Sequence, residues 1–330
     1  MKRLTILSIL LCTASPLWAQ LPPDIYSNCD FCMCSMGISP LMMNGSSLRI
    51  DSRYTELSQQ YLNGRAIPFP TDQGYVSKET FFTNMLSLRG DLSDQISATL
   101  MVPFKHNAET VVNPVAGTIS TIHNSGIGDL MLIFQDRVIS DHEWADMRIA
   151  AVTAGVKFAN GSTSLLDAGA PADPDVQLGT GTTDFYAGLS GLLGFSDWNI
   201  QADALGLIHG FGPGASGHTY GSSLNYDMTA EYRLYIDPGF QPTLLSPTVF
   251  AAFAIRGELR SYETQNGAPL NNDSLGWSGG NVLYAAPGLD LFFSPRVSFD
   301  ASVWLPVDHA LYGNQLGETI KAMAGLQFGL

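Results

Sequence analysis

The chain has 330 residues, and 16 Lys+Arg against 30 Asp+Glu give it a formal net charge of -14. Nucleic-acid binding needs clustered cationic side chains, so this acidity argues against a nucleic-acid partner. Only 14 % of the residues are charged and 45 % are hydrophobic, which argues against a disordered chain. After residue 20 no apolar run approaches the roughly 20 residues that a membrane helix requires.

The first residues predict export. Lys2 and Arg3 form a short basic start, an apolar stretch covers 4–12, and Ala19 offers a small residue for cleavage before Gln20. This order is typical of a secretory signal peptide. We therefore predict a signal peptide over 1–19, a Cys-containing periplasmic segment over 20–45, and one folded unit over 46–330.

From residue 46 onwards, apolar and polar residues alternate with a period of two residues. In one clear example, apolar residues from Leu224 to Leu234 alternate with polar residues from Ser223 to Arg233. Alternation of this kind places the two sets on opposite faces of a strand. It predicts strands at 47–59, 79–90, 95–105, 126–138, 146–159, 182–194, 198–209, 221–236, 248–260, 280–293, 296–307 and 317–330.

The connections between these strands alternate in length. Residues 91–94, 195–197 and 294–295 form short links, whereas 106–125, 160–181 and 261–279 form long polar ones. Short turns on one side and long loops on the other are typical of outer-membrane barrels. The pattern predicts an all-β fold, a transmembrane antiparallel up-and-down β-barrel of about twelve strands with both termini in the periplasm.

A soluble β-sandwich also alternates apolar and polar residues, so it is the competing interpretation. The predicted strands exceed the usual length of roughly 5–6 residues and suit the roughly 9–11 residues needed to cross a bilayer. Aromatic residues near the predicted strand ends favour interfacial girdles. These residues are Phe104, Phe134, Phe158, Tyr235, Phe293, Trp304 and Phe328.

Four segments resemble a known family. They are the strand–turn–strand unit Leu86–Phe104, the Gly-x-Gly-Asp-Leu motif in Ser125–Leu130, the Gly-Thr-Gly-x-x-Asp-Phe motif Gly179–Phe185, and the hairpin Pro287–Pro306. Together and in this order they resemble the transporter-like outer-membrane barrels named after the MetA pathway of phenol degradation. The resemblance implies an outer-membrane location in a Gram-negative bacterium and passage of a small, often hydrophobic solute. The Cys-rich start and the final aromatic at Phe328 depart from the family pattern.

If the chain forms such a barrel, its polar parity faces the lumen, because a charge on the lipid face costs about 2–4 kcal/mol near the midplane. These side chains either select solutes by charge and size or pair with one another across strands. For Glu231, Arg233, Arg256 and Glu258, mutual pairing is the favoured interpretation. The predicted lumen-facing residues are Arg89, Asp129, Asp184, Asp203, Asp227, Glu231, Arg233, Arg256, Glu258, Asp290, Asp300 and Lys321.

Three cysteines follow the predicted signal peptide, at Cys29, Cys32 and Cys34. Three thiols close to several Met residues suit a soft metal ion such as Cu(I). The competing interpretation, which we favour over the metal, is a local disulfide with one thiol left over, since the periplasm is oxidising. The odd thiol also permits a bond to a periplasmic partner. A zinc site needs a fourth ligand, and haem attachment needs a His where Met33 stands.

Two functions from different classes follow. The first is an outer-membrane channel, with membrane lipid and a small-molecule solute as partners. The alternative is a scaffold barrel whose Cys segment binds a metal or docks a redox partner.

No Ser lies at a defensible spacing from a His, so we predict no enzyme. Asp167, Asp173 and Asp175 offer oxygen ligands for Ca²⁺, but their spacing lacks the EF-hand pattern and favours a solvated loop.

Overall fold

A computed structural model of the chain describes residues 46–143, 146–167, 169–195, 197–211, 214–235, 246–272, 276–294 and 296–330. Twelve long antiparallel strands in these ranges form the wall of one sheet. They are β1 (Ser47–Leu62), β2 (Tyr75–Asp91), β3 (Ile96–Asn113), β4 (Met131–Glu143), β5 (Asp146–Lys157), β6 (Thr183–Phe195), β7 (Trp198–Phe211), β8 (Ser223–Tyr235), β9 (Thr248–Arg260), β10 (Gly280–Ser294), β11 (Val297–Leu311) and β12 (Asn314–Gly329). Within the described ranges, no helix is long and apolar enough to cross a lipid bilayer.

The sheet closes on itself through its first strand. Ser47 of β1 lies opposite Arg89 of β2 on one side and opposite Gly329 of β12 on the other. Each of the strands β2 to β11 pairs with the wall strand before it and the wall strand after it in the chain. The result is a closed up-and-down barrel without a free edge. The predicted fold class and the strand number are therefore confirmed.

The two ends of the barrel differ. Four of the five connections on the side of Ser47 and Gly329 have two to four residues (92–95, 144–145, 196–197 and 295–296), and the fifth, 236–247, has twelve. Five of the six connections on the opposite side have eleven or more residues (63–74, 114–130, 158–182, 212–222 and 261–279), and the sixth, 312–313, has two. Because short turns are periplasmic in barrels of this type, we call the first end the periplasmic end and the second the outer mouth.

Polar residues point inward and apolar residues outward along the strands. On β8, Glu231 is 1 % exposed while Met228 is 58 % exposed, and the other residues follow the same alternation. A soluble sandwich would bury its apolar face instead. Exposed Leu, Ile, Val and Phe side chains recur around the wall. Such a surface is stable in contact with lipid, so this barrel is built for a membrane.

The structure corrects the predicted fourth strand and the long connection before it. Residues 96–113 and 118–127 form a hairpin that turns at Gly117, where φ is 65°. The wall strand β4 starts only at Met131. The composition of this segment, rich in Asn, Ser and Thr, suggested a loop. Its Val and Thr residues nevertheless favour extended backbone, and pairing with β3 provides the hydrogen bonds.

Trp304 was predicted to be an interfacial aromatic, and that prediction is wrong. Its side chain is 1 % exposed, and its ring lies 5.7 Å from that of Tyr284 inside the barrel. The Arg256 guanidinium sits 4.4 Å from the centre of the same ring. The indole N–H donates to Ser302 Oγ at 3.0 Å. Trp304 shares its strand parity with Ser302, and parity decides orientation more strongly than the size of a side chain does.

Candidate functional site

Charged side chains meet inside the barrel towards the outer mouth. Lys321 Nζ lies 2.5 Å from Glu258 Oε1 and 3.0 Å from Glu318 Oε2. Arg260 lies 2.6 Å from Glu258 and 3.7 Å from Glu318. The Tyr284 hydroxyl donates a hydrogen bond to Glu318. We call these five residues the interior network.

The interior network joins strands that are not neighbours. Glu258 lies on β9 and Lys321 on β12, with β10 and β11 between them in the sheet. Their ion pair therefore runs through the interior and narrows the barrel at this level. Both residues are 4 % exposed. Charges of both signs meet here, which offsets the cost of removing each from water.

A second group of charges lies nearer the periplasmic end. Arg49 on β1 contacts Asp51 at 2.5 Å and Asp300 on β11 at 2.8 Å. Asp290 lies directly opposite Asp300 in the register of β10 and β11. The two facing carboxylates repel each other, and the Arg49 guanidinium beside Asp300 reduces this repulsion.

Arg256 on β9 lies beside a second pair of facing carboxylates, Asp203 on β7 and Asp227 on β8. Its Nε lies 3.9 Å from Asp227, and Asp227 lies opposite Asp203 in the register of β7 and β8. The Gln201 amide donates to Asp203 at 2.5 Å. The predicted residues Asp203, Asp227 and Arg256 are thus brought together.

Lys157 holds a third cluster at the outer mouth. Its Nζ lies 2.6 Å from Asp184 and 3.6 Å from Asp129, and it donates to the Thr180 hydroxyl at 2.8 Å. His209 Nδ1 lies 3.0 Å from Asp184. Two of the predicted residues, Asp129 and Asp184, therefore share one lysine.

Asp129 fastens the loop 158–182 to the barrel. Its carboxylate accepts hydrogen bonds from the backbone N–H of Asn160, Gly161 and Thr180 at 3.1, 2.7 and 2.9 Å. Gly161 packs so closely on Gly179 that a Cβ there would lie 2.7 Å from the Gly179 Cα. Both ends of the loop are thus tied to one buried carboxylate. Asp129 lies between the hairpin strand 118–127 and β4, not within a wall strand.

Two predicted arginines lie at the periplasmic end. Arg89 contacts Asp91 at 3.5 Å, and Arg233 donates to Asp197 in the link between β6 and β7. Arg233 therefore pairs outside the predicted group of Glu231, Arg233, Arg256 and Glu258, and Arg256 lies 3.9 Å from Asp227, which is not a member of that group. In the register of β8 and β9, Asp227 rather than Glu231 lies directly opposite Arg256.

Most of the twelve predicted residues are buried. Asp203, Arg233 and Asp300 are partly exposed, and the other nine fall below one tenth exposure. Sequence reasoning missed several partners that the structure adds to these clusters. They are Arg49, Asp51, Lys157, Arg260 and Glu318.

The predicted Cys site lies outside the described residues. Cys29, Cys32 and Cys34 fall within 1–45, so the Cu(I) site, the disulfide and the periplasmic partner stay predictions. The predicted signal peptide lies in the same range. Elsewhere in the described part of the chain, no three His, Cys, Asp or Glu side chains are grouped to hold a metal ion.

His218 and Glu263 face each other on two loops of the outer mouth, with Nε2 and Oε2 3.2 Å apart. Burial raises the pKa of Glu263 to about 7, although the hydrogen bond and charge of His218 oppose this. Burial alone would lower the pKa of His218, but its hydrogen bond to Glu263 and the charge there raise it above the ordinary value. Both groups therefore bind protons more tightly in the folded mouth than in an unfolded chain.

This proton binding predicts how the mouth responds to pH. A group whose pKa is raised by folding stabilises the fold below its unfolded pKa, and that stabilisation is lost as pH rises through the folded value. We expect amide hydrogens of 261–272 to exchange more slowly at pH 5.5 than at pH 8, after correction for intrinsic rates. Glu263→Gln mimics the protonated form, so it should remove most of the difference. An unchanged difference in that variant would contradict the assignment.

No protein-family model matches the chain, and no curated protein matches it. Among solved structures it is similar to an outer membrane channel from Pseudomonas putida F1. The identity is 14 % and the TM-score 0.63, over 87 % of this chain and 96 % of that one. A FadL homologue from Pseudomonas aeruginosa has a TM-score of 0.40 at 12 % identity, covering 87 % of this chain and 91 % of that one. The KdgM porin has a TM-score of 0.37 at 7 % identity, covering 86 % and 99 %.

The first of these similarities supports the fold, and the two lower ones carry no argument. The closed barrel, its apolar outer face and its short periplasmic links together confirm the predicted location, the outer membrane of a Gram-negative bacterium. The chain is an outer-membrane β-barrel with a charged interior.

Proposed function

We propose that the protein is a channel through which small solutes diffuse across the outer membrane. The observation that carries this proposal is the closed wall of twelve strands that turns its polar side chains inward, with the ion pair between Lys321 and Glu258 narrowing the interior. Charged groups inside a closed barrel need water or each other, and a water-filled interior is the usual consequence in porin-like barrels. The twelve predicted residues then line or narrow the path.

The charges along this path indicate which charge and polarity the solute should have. Eight of the twelve predicted residues are carboxylates and four are cationic; with the five added partners, ten carboxylates face seven cations, so the path carries an excess of negative charge. The family resemblance implies a small hydrophobic compound. The charged interior favours a water-soluble solute, neutral or positively charged, because an apolar one gains nothing from these groups. We include membership of the MetA-pathway family in the proposal on the strength of the four sequence segments alone.

Single-channel recording in planar bilayers tests the proposal. We expect steady conductance steps from the refolded barrel and a reversal potential that indicates a preference for cations. The physical reason is that rings of carboxylates attract cations and repel anions. Glu258→Gln should reduce the preference, whereas Asp308→Asn changes an exposed carboxylate on β11 and should leave it unchanged.

Folding must be checked in each sample by heat-dependent mobility in gels. Folded protein that shows no steps would contradict a channel and favour the scaffold function. Steps with a preference for anions would keep the channel but reject the proposed role of the carboxylates.

A further inference from the structure

The outer mouth holds a cavity of about 300 Å³ that the interior network does not occupy. Its wall is assembled from the start of β2, the loops 158–182, 212–222 and 261–279, and the start of β12. We call it the mouth cavity. Cavities of roughly 300–1,000 Å³ are the usual size for small-molecule ligands, so its volume suits a compact organic molecule.

The wall of the mouth cavity is strongly acidic. It contains Glu79, Asp173, Asp175 and Glu263, together with His218, and among the residues that the structure describes no Lys or Arg is part of it. Burial, with the charge of Glu79, raises the pKa of Asp175 well above its ordinary range. Carboxylates brought together in this way repel one another, and a cation that entered the cavity would relieve the repulsion.

Two of these carboxylates lack part of the pairing that buried charges normally have. Glu79 is 7 % exposed, and the charges that act on it are those of other carboxylates, Asp173, Glu109 and Glu263. Glu263 is 5 % exposed, and within the same residues its Oε1 has no hydrogen-bond partner. Both line the cavity, so their carboxylates are available to a ligand.

The chemistry of the wall distinguishes between kinds of cation. Nowhere in the described ranges are three ligand side chains grouped to hold one metal ion, and the cavity is larger than a bare ion needs. Trp277 and Leu270 add an aromatic and an apolar surface to the same wall. Carboxylates combined with an aromatic side chain are typical of sites for organic ammonium groups.

We propose that the mouth cavity binds a small organic cation, such as a primary amine or diamine, at the extracellular entrance of the barrel. Glu79 and Glu263 accept hydrogen bonds from its ammonium groups, and Trp277 contacts its carbon chain. This inference adds a ligand to the proposed channel function. It rests on that function only for the step in which the bound cation passes into the lumen. Binding itself does not require an open lumen.

Isothermal titration of the refolded full-length protein with 1,4-diaminobutane at pH 8 tests the site. 1,4-Butanediol is the uncharged control ligand, and CaCl₂ tests a metal ion. We expect saturable binding of the diamine alone. Glu79→Gln and Glu263→Gln should each weaken binding about tenfold or more, since each removes a charged hydrogen-bond acceptor. Asp308→Asn, a matched loss of one exposed carboxylate, should leave binding unchanged.

The outcomes separate the site from the channel. No diamine binding to folded protein, binding of Ca²⁺ instead, or unchanged affinity in both cavity variants would each overturn the proposed site. Diamine binding by a barrel without conductance would keep the site and reject passage. Conductance without diamine binding would keep the channel and reject the site.

Discussion

Lys321→Met is expected to lower the free energy of unfolding by about 3–5 kcal/mol, because breaking a buried ion pair leaves an uncompensated charge behind. Lys321 is the cation that lies closest to both Glu258 and Glu318. Without it, Arg260 still contacts both carboxylates, but its single positive charge faces two negative charges. Met keeps most of the side-chain volume, so packing changes little.

Denaturant unfolding in detergent micelles or lipid vesicles, followed by Trp fluorescence, measures this loss. Lys78→Met is a matched control, since Lys78 pairs with Glu56 at 2.7 Å while its side chain is 44 % exposed. An exposed pair contributes about 0–1 kcal/mol. The double variant Lys321→Met with Glu258→Gln should recover part of the loss, because the buried charge is then removed as well. Equal losses at Lys321 and Lys78 would show that the interior network is solvated and does not constrict the barrel.

The alternation of side chains along a strand explains how well the sequence predicts which residues point into the barrel. Arg49 and Asp51 are two residues apart on one strand, as are Glu258 and Arg260, so the rule that identified Glu258 also covers Arg49, Asp51 and Arg260. The alternation of β8 is regular over its length, and its inward residues were predicted correctly as the polar face. For regular strands the physical information is therefore present in the sequence.

Glu318 shows where that rule fails. It lies three residues before Lys321, so a regular strand would place the two on opposite faces. In the structure Glu56 lies opposite Ile320 and Leu57 opposite Glu318, so the register of β1 and β12 shifts between these pairs. Such a bulge turns Glu318 into the interior beside Lys321. Pairing between the first and last strands of the chain determines this shift, and no local pattern reports it.

The mouth cavity lies beyond sequence reasoning for a similar reason. Asp173 and Asp175 were noted as an acidic loop and interpreted as solvated. Glu79 and Glu263 come from other parts of the chain, and only barrel closure and loop folding bring the four together. Each carboxylate alone is unremarkable in sequence. Their effect depends on burial and on mutual distance, which are properties of the closed fold.

Asp129→Ala is expected to release the loop 158–182 from the outer mouth. The substitution removes the acceptor for three backbone N–H groups and for the Thr180 hydroxyl. Bonds to a charged acceptor contribute about 1.5–3 kcal/mol each, and the buried donors would be left unsatisfied. Since proteolysis of a native protein follows local opening, we expect cleavage within 158–182 to accelerate about tenfold or more.

Proteinase K digestion of the folded barrel, with mass spectrometry of the fragments, measures this effect. Asp167→Ala removes an exposed carboxylate from the same loop and should leave the cleavage rate unchanged. Asp129→Asn keeps one acceptor oxygen and should fall between the two. If the loop narrows the path from the outer mouth, the Ala variant should also conduct more than the wild type in planar bilayers. Faster cleavage with unchanged conductance would instead mean that the loop covers the barrel without limiting passage, which would leave the interior network as the narrowest point.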